Sequence, residues 1–109
     1  MWPYDTPVEQ GSMGFRLCEE RLRLGLEAHV FCQALGIDLK RLQALETNAA
    51  PADAMELAAM SGQGVDLPYL LTGQRSRTLT EDEQTFIEQY RKGTDAQQRH
   101  LKTVGDATS

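Results

Sequence analysis

Features that would point to catalysis, metal binding or a membrane are scarce in this sequence. Of its 109 residues only two are cysteines, Cys18 and Cys32, and their spacing fits neither a zinc site nor a Cys-x-x-Cys redox pair. No apolar run approaches the roughly 20 residues needed to cross a bilayer. Residues 1–10 lack the basic start and apolar core of a secretion signal. We therefore expect a soluble cytoplasmic protein whose cysteines are small buried apolar side chains.

Residues suited to catalysis are equally sparse. His29 and His100 are the only histidines, and they lie on separate predicted helices, with no acid or cysteine at ligand spacing. The sequence holds no phosphate-binding loop, no nucleophile elbow and no HExxH pair. It therefore predicts no catalytic residue, no metal site, no cofactor and no enzymatic activity.

The chain is also short of positive charge. It has 11 Lys and Arg against 16 Asp and Glu, a net charge of −5 and a pI of about 4.9. Proteins that coat nucleic acid neutralise many phosphates and are usually basic. A local basic face can still steer a sequence-specific reader to DNA when the rest of the surface is acidic. The charge balance therefore argues against a general coating protein, and it weakens the case for a selective DNA-binding protein without refuting it.

What the sequence does contain is helical periodicity. Apolar residues recur every three or four positions, the spacing of one helix face, and strand-like alternation is missing. Glycines at positions 25, 36 and 73 follow apolar runs, where they suit helix C-termini. The sequence predicts an all-α fold, with helices over residues 14–24, 27–35, 38–46, 52–60, 67–71, 81–91 and 96–104.

Three regions are predicted along the chain. Residues 1–13 contain two prolines and no helical period, so we expect a flexible N-terminal arm. Residues 14–73 hold five predicted helices and form the main domain. Residues 74–109 are a linker followed by C-terminal helices, the first of which begins with a capping box between Thr80 and Glu83.

Two segments of the main domain have recognisable spacing. Residues 28–35, a Gly36-Ile37 turn and residues 38–46 match a helix-turn-helix, in which the second helix enters the major groove of DNA. Residues 64–73 read GVDLPYLLTG. In these positions the sequence resembles the phage repressor/Cro, or XRE-type, family, and in particular a bacterial branch with a GVDxxYLLTG ending. The resemblance covers about residues 15–73.

The resemblance implies a lambda-repressor-like five-helix bundle followed by C-terminal amphipathic helices. It also implies a transcriptional regulator that binds double-stranded operator DNA as a dimer. On this basis we expect DNA-binding residues at Leu39, Lys40, Arg41, Gln43, Ala44, Asn48 and Arg16. Lys40, Arg41 and Gln43 offer groups for base edges or phosphates, whereas Leu39 and Ala44 suit thymine methyl groups. Asn48 and Arg16 are expected beside the phosphates.

A structural ion pair is implied as well. Arg21 and Glu46 match positions that tie the first helix to the third in the family. Removing one partner of such a buried pair would leave an uncompensated charge, at a cost of about 3–5 kcal/mol.

Two functional interpretations remain open. Glu27-Ala28 stands where the family usually has Ser or Thr followed by Gln, so a carboxylate and a methyl replace a phosphate contact. In the first interpretation Lys40, Arg41 and Gln43 still bind DNA. In the second the domain is degenerate and serves as a protein-interaction or dimerisation module, for example as an antagonist of another regulator. Lys40 and Arg41 are also compatible with an ordinary solvated face.

The C-terminal helices carry an apolar stripe that has to be buried somewhere. We expect it to pack against a second copy of the chain and form a symmetric homodimer. The residues expected at that dimer contact are Phe86, Ile87, Tyr90 and Leu101. Packing of the stripe on its own chain is the alternative.

Overall fold

The computed structural model is all-helical, as the sequence predicts. It describes the backbone of residues 2–108 and the side chains of residues 2–99, and within that range it contains six α-helices and no strand. The helices are α1 (Met13–Arg23), α2 (Ala28–Leu35), α3 (Leu39–Glu46), α4 (Ala54–Gly62), α5 (Leu67–Thr72) and α6 (Glu81–Thr108). The predicted bounds of the first five helices are correct to within about two residues.

The first five helices enclose the main core. Leu17 of α1, Phe31 of α2 and Leu42 of α3 are buried there together, with Met60 of α4 and Leu70 of α5. Leu17, Phe31, Leu42 and Met60 lie at the apolar positions of helical spacing that the sequence predicts to face inward. Met55 of α4 is not part of this core, because its side chain is 80% exposed. Asp53 caps this helix, which begins at Ala54, two residues later than predicted.

The N-terminal arm is packed rather than free, which corrects the expectation of a flexible segment. Trp2 is 1% exposed and lies in a second core cluster with Val8, Phe15, Cys18 and Tyr90. Its ring stacks on Phe15 with the centroids 5.8 Å apart, and its indole nitrogen donates to the carbonyl of Thr6 at 2.8 Å. The arm therefore buries one of the largest apolar side chains of the protein.

The C-terminal region is one long helix, which corrects the prediction of two helices separated at residues 93–95. The buried stripe explains the difference. Ile87, Tyr90, Thr94 and Gln98 all face inward at a spacing of three or four residues, so packing favours an unbroken helix. A single glycine, Gly93, costs a helix about 1 kcal/mol and does not end it by itself.

Helix α6 packs on its own chain through part of the predicted dimer surface. Ile87 and Tyr90 are 3% and 5% exposed within this chain, so neither is available to a second copy, and that expectation is corrected. Phe86 stays exposed. Leu101 lies outside the residues whose side chains are described.

Two consecutive buried carboxylates of α1 hold α5 and α6 in place. Glu19 accepts from the Arg91 guanidinium at 2.8 Å and from the Tyr69 hydroxyl. Glu20 accepts from Arg23 at 2.8 Å and from Arg75 at 2.6 Å. The segment predicted to be an exposed linker therefore contributes a largely buried arginine to the fold.

The arm should contribute strongly to stability. Trp2→Ala removes a fully buried ring, and comparable Trp or Phe truncations cost about 3–5 kcal/mol. We expect the free energy of unfolding, measured by urea denaturation, to fall by this amount. Met55→Ala is the matched control, because an exposed side chain should change it by less than about 0.5 kcal/mol. Equal effects of the two substitutions would show that the arm is not packed as described.

The Glu20 carboxylate should make the stability of the fold depend on pH. Burial alone would raise its pKa, but hydrogen bonds from Arg23, from the Asp66 amide and from Arg75 outweigh burial and lower the pKa below 4.5. A lowered folded-state pKa gives stability that is complete above about pH 4.5 and is lost as the pH falls through the folded value. The stability gap between wild type and Glu20→Gln should therefore shrink between pH 7 and pH 3. A gap of constant size over this range would contradict the described bonds to Glu20.

Candidate functional site on helix α3

Helices α2 and α3 meet at a short turn whose shape follows from the sequence. Gly36 ends α2 in the left-handed conformation at φ 69°, which glycine adopts without a side-chain clash. Two residues later the Asp38 carboxylate accepts from the Arg41 amide at 2.8 Å and caps the N-terminus of α3. The turn thus sends the chain directly from one eight-residue helix into another.

The inner side of α3 is fixed to the core. Leu42 and Leu45 are buried, and Glu46 forms the predicted ion pair with Arg21. The pair is bidentate: Arg21 Nε donates to Glu46 Oε2 at 2.9 Å and Nη2 donates to Oε1 at 3.1 Å. The Tyr4 hydroxyl donates to the same carboxylate. Tyr4 therefore takes part in a network that the sequence does not reveal.

The opposite side of α3 is open to solvent. Leu39 is 56% exposed, and Lys40 and Gln43 are exposed as well. Ala44 is half-buried on the same arc of the helix. An apolar side chain, an amine and an amide thus stand side by side, a combination that can contact thymine methyl groups, guanines or phosphates, and adenines in a major groove.

Three of the predicted DNA-binding residues make bonds inside the protein. Arg41 donates to Glu56 at 2.8 and 2.9 Å. Arg16 Nε donates to the Leu70 carbonyl at 3.0 Å and holds the end of α5. The Asn48 side chain accepts from the Gly14 amide at 2.8 Å, at the start of α1. The sequence suggests that these polar groups face solvent, because their bonding partners lie at the ends of other helices.

The surface around α3 is not basic. Between residues 26 and 63 the sequence has two basic residues besides His29, namely Lys40 and Arg41, against five acids: Glu27, Asp38, Glu46, Asp53 and Glu56. Glu46 and Glu56 are neutralised by Arg21 and Arg41. Three acids and one lysine are left at exposed positions. This surface favours a few specific contacts over strong general attraction to phosphates.

Other kinds of site find little support in the described part of the chain. Across it, His, Cys, Asp and Glu side chains form no group of three or more arranged to hold a metal ion. Cys18 and Cys32 are both buried and unbridged. Burial raises the pKa of the Cys18 thiol to about 12, so it stays protonated and unreactive. None of the described helices has the length and apolar character needed to span a membrane.

Comparison with known proteins gives one partial similarity. No protein-family profile matches the chain, and no solved structure matches it significantly. A protein of Cereibacter sphaeroides named propionyl-CoA carboxylase regulator is 36% identical over 69 residues. The match covers 62% of this chain and 15% of that much longer protein. The similarity thus spans only a small part of the protein that bears this name.

Helix α1 approaches the end of α3 so closely at Gly14 that a larger residue should not fit there. A Cβ atom there would lie 2.5 Å from the Glu46 carbonyl oxygen, a backbone atom that cannot turn aside. We expect Gly14→Ala to destabilise the fold by about 1–3 kcal/mol.

Gly93→Ala is the matched control for this substitution. Its added Cβ would meet no described heavy atom within 4 Å, so the variant should gain roughly 0.5–1 kcal/mol from better helix propensity. The midpoint of thermal denaturation should therefore fall for Gly14→Ala and rise for Gly93→Ala. Shifts of the same sign would contradict the described contact between α1 and α3.

Proposed function

We propose that the protein is a transcriptional regulator that binds operator DNA, with α2 and α3 as a helix-turn-helix and α3 as the recognition helix. The observation that carries the proposal is the two-sided character of α3. One side is fixed to the core by Leu42, Leu45 and Glu46, and the other presents Lys40 and Gln43 to solvent. A rigidly held helix with exposed donors and acceptors is the arrangement that major-groove reading requires.

The exposed residues have separate roles in this proposal. Gln43 can form two hydrogen bonds with the edge of an adenine, and Lys40 can contact a guanine or a phosphate. Leu39 and Ala44 lie against thymine methyl groups. The resemblance to the phage repressor/Cro family and the partial similarity to a protein named as a regulator support the same assignment.

The regulator is proposed to act as a homodimer in the cytoplasm. Two copies related by a twofold axis would place their α3 helices about one turn of DNA apart, so that weak contacts from each copy combine. Of the predicted dimer residues, Phe86 is the one that remains exposed among the described side chains.

A second candidate is a protein-interaction module without DNA binding. The specific observation in its favour is the surface around α3. Three exposed acids, Glu27, Asp38 and Asp53, stand there against one exposed lysine, Lys40. Leu39 of the same surface is largely exposed. Such a surface suits a protein partner that offers apolar and basic groups.

Selection from a pool of random DNA duplexes at low salt tests the proposal. We expect enrichment of a site with two half-sites about 10 base pairs apart. Gln43→Ala should relax the preference at one position and cost about 1–3 kcal/mol of discrimination. Gln33→Ala, at an exposed position of α2, is the matched control and should bind as wild type.

Failure of this selection would have a clear meaning. No enriched sequence at low salt, or enrichment that survives both Lys40→Ala and Gln43→Ala, contradicts DNA reading by α3. The protein-interaction module would then be the better account, and capture of a protein partner that is lost in Leu39→Asp would support it.

A further inference from the structure

Arg41 occupies an unusual place on the recognition helix. It lies on the flank of α3, between the buried side and the exposed arc, and its side chain is 34% exposed. All of its described side-chain hydrogen bonds lead to the segment that follows α3. Nε and Nη2 donate to the Glu56 carboxylate at 2.9 and 2.8 Å, and Nη2 also donates to the Pro51 carbonyl at 3.0 Å.

The partner of Arg41 is itself held in position. Glu56 is 6% exposed and forms a capping box with Asp53 at the start of α4. The Asp53 amide donates to Glu56 at 2.9 Å, and the Glu56 amide donates to the Asp53 carboxylate at 2.7 Å. Arg41 therefore binds a carboxylate whose place is fixed by the N-terminus of another helix.

A direct contact between Arg41 and DNA would break this arrangement. The guanidinium would have to leave a bidentate partner, and Glu56 would remain nearly buried without its counter-charge, which is unfavourable. Staying in place has the opposite effect, because it joins the first turn of α3 to α4 and the loop between them.

We propose that Arg41 is a positioning residue: through Glu56 it sets the orientation of α3 on α4, and it does not itself contact DNA. The inference rests on the proposed function, in which Lys40 and Gln43 read the duplex. It assigns Glu56, which does not lie on the recognition helix, an indirect part in DNA affinity.

Binding to the selected duplex over a range of salt concentrations tests the inference. Arg41→Ala and Glu56→Gln should both weaken binding, by about ten-fold, and both should leave the slope of log K against log salt unchanged. Lys40→Ala is the control for a direct contact, and it should lower the slope by about 1 if Lys40 contacts a phosphate. Arg41→Lys should resemble Arg41→Ala, because lysine lacks the fork that grips a carboxylate.

The opposite assignment predicts opposite results. If Arg41 contacts a phosphate, Glu56→Gln frees its guanidinium and removes a negative charge, so binding stays the same or becomes tighter. Arg41→Lys would then keep most of the affinity, and Arg41→Ala would reduce the slope. This pattern would overturn the inference.

Unfolding measurements separate failure of the inference from failure of the proposed function. In a double-mutant cycle, Arg41→Ala and Glu56→Gln should be coupled by roughly two- to five-fold in the unfolding equilibrium constant. Absence of coupling would overturn the inference whatever the protein binds. Coupling in a protein that selects no duplex would overturn DNA reading and with it the positioning role, while leaving the ion pair as a structural contact.

Discussion

The buried ion pair between Arg21 and Glu46 is the interaction on which the rest of the structure depends. It joins the middle of α1 to the last residue of α3, so α3 is held from its inner side by an almost fully buried contact. Arg21 is also the third of three consecutive buried charged residues, after Glu19 and Glu20. Together they join α1 to three other helices: Glu19 holds α6 through Arg91 and α5 through Tyr69, Glu20 holds the start of α5 and the segment after it, and Arg21 holds α3. Helix α1 thus connects α3, α5 and α6.

This organisation has a direct consequence for the proposed function. Several arginines that could have supplied a basic surface, among them Arg21, Arg41 and Arg91, join helices instead. The α3 face keeps Lys40 and Gln43 as its exposed polar groups. A regulator built in this way gains less from general attraction to phosphates and relies more on a few base contacts and on a second copy of the chain. The acidic net charge of −5 fits the same interpretation, because it discourages binding to arbitrary DNA.

The sequence predicts the helices of this structure well, but it does not predict the contacts between residues that are distant along the chain. Apolar spacing, Gly36 and Asp38 locate α2 and α3 because those signals are local. The packing of Trp2 on Phe15 and of Arg75 on Glu20 joins residues far apart in the chain, and no local pattern encodes such contacts. In the candidate site, too, the local features are predicted and the longer-range contact is not. Lys40 and Gln43 are exposed as expected, whereas Arg41 finds a carboxylate fifteen positions later. Asp53-x-x-Glu56 has the spacing of a capping box and is the signal that could have revealed that partner.

The most direct measurement is a chemical-shift titration of the labelled protein with the duplex selected from the random pool, at low salt. The titration follows each backbone amide and so reports which residues of the protein meet the duplex. The account predicts that the largest shifts fall on residues 36–44, at the turn and along the exposed side of α3. Shifts concentrated on α6 and the N-terminal arm, or no shifts at all, would contradict it.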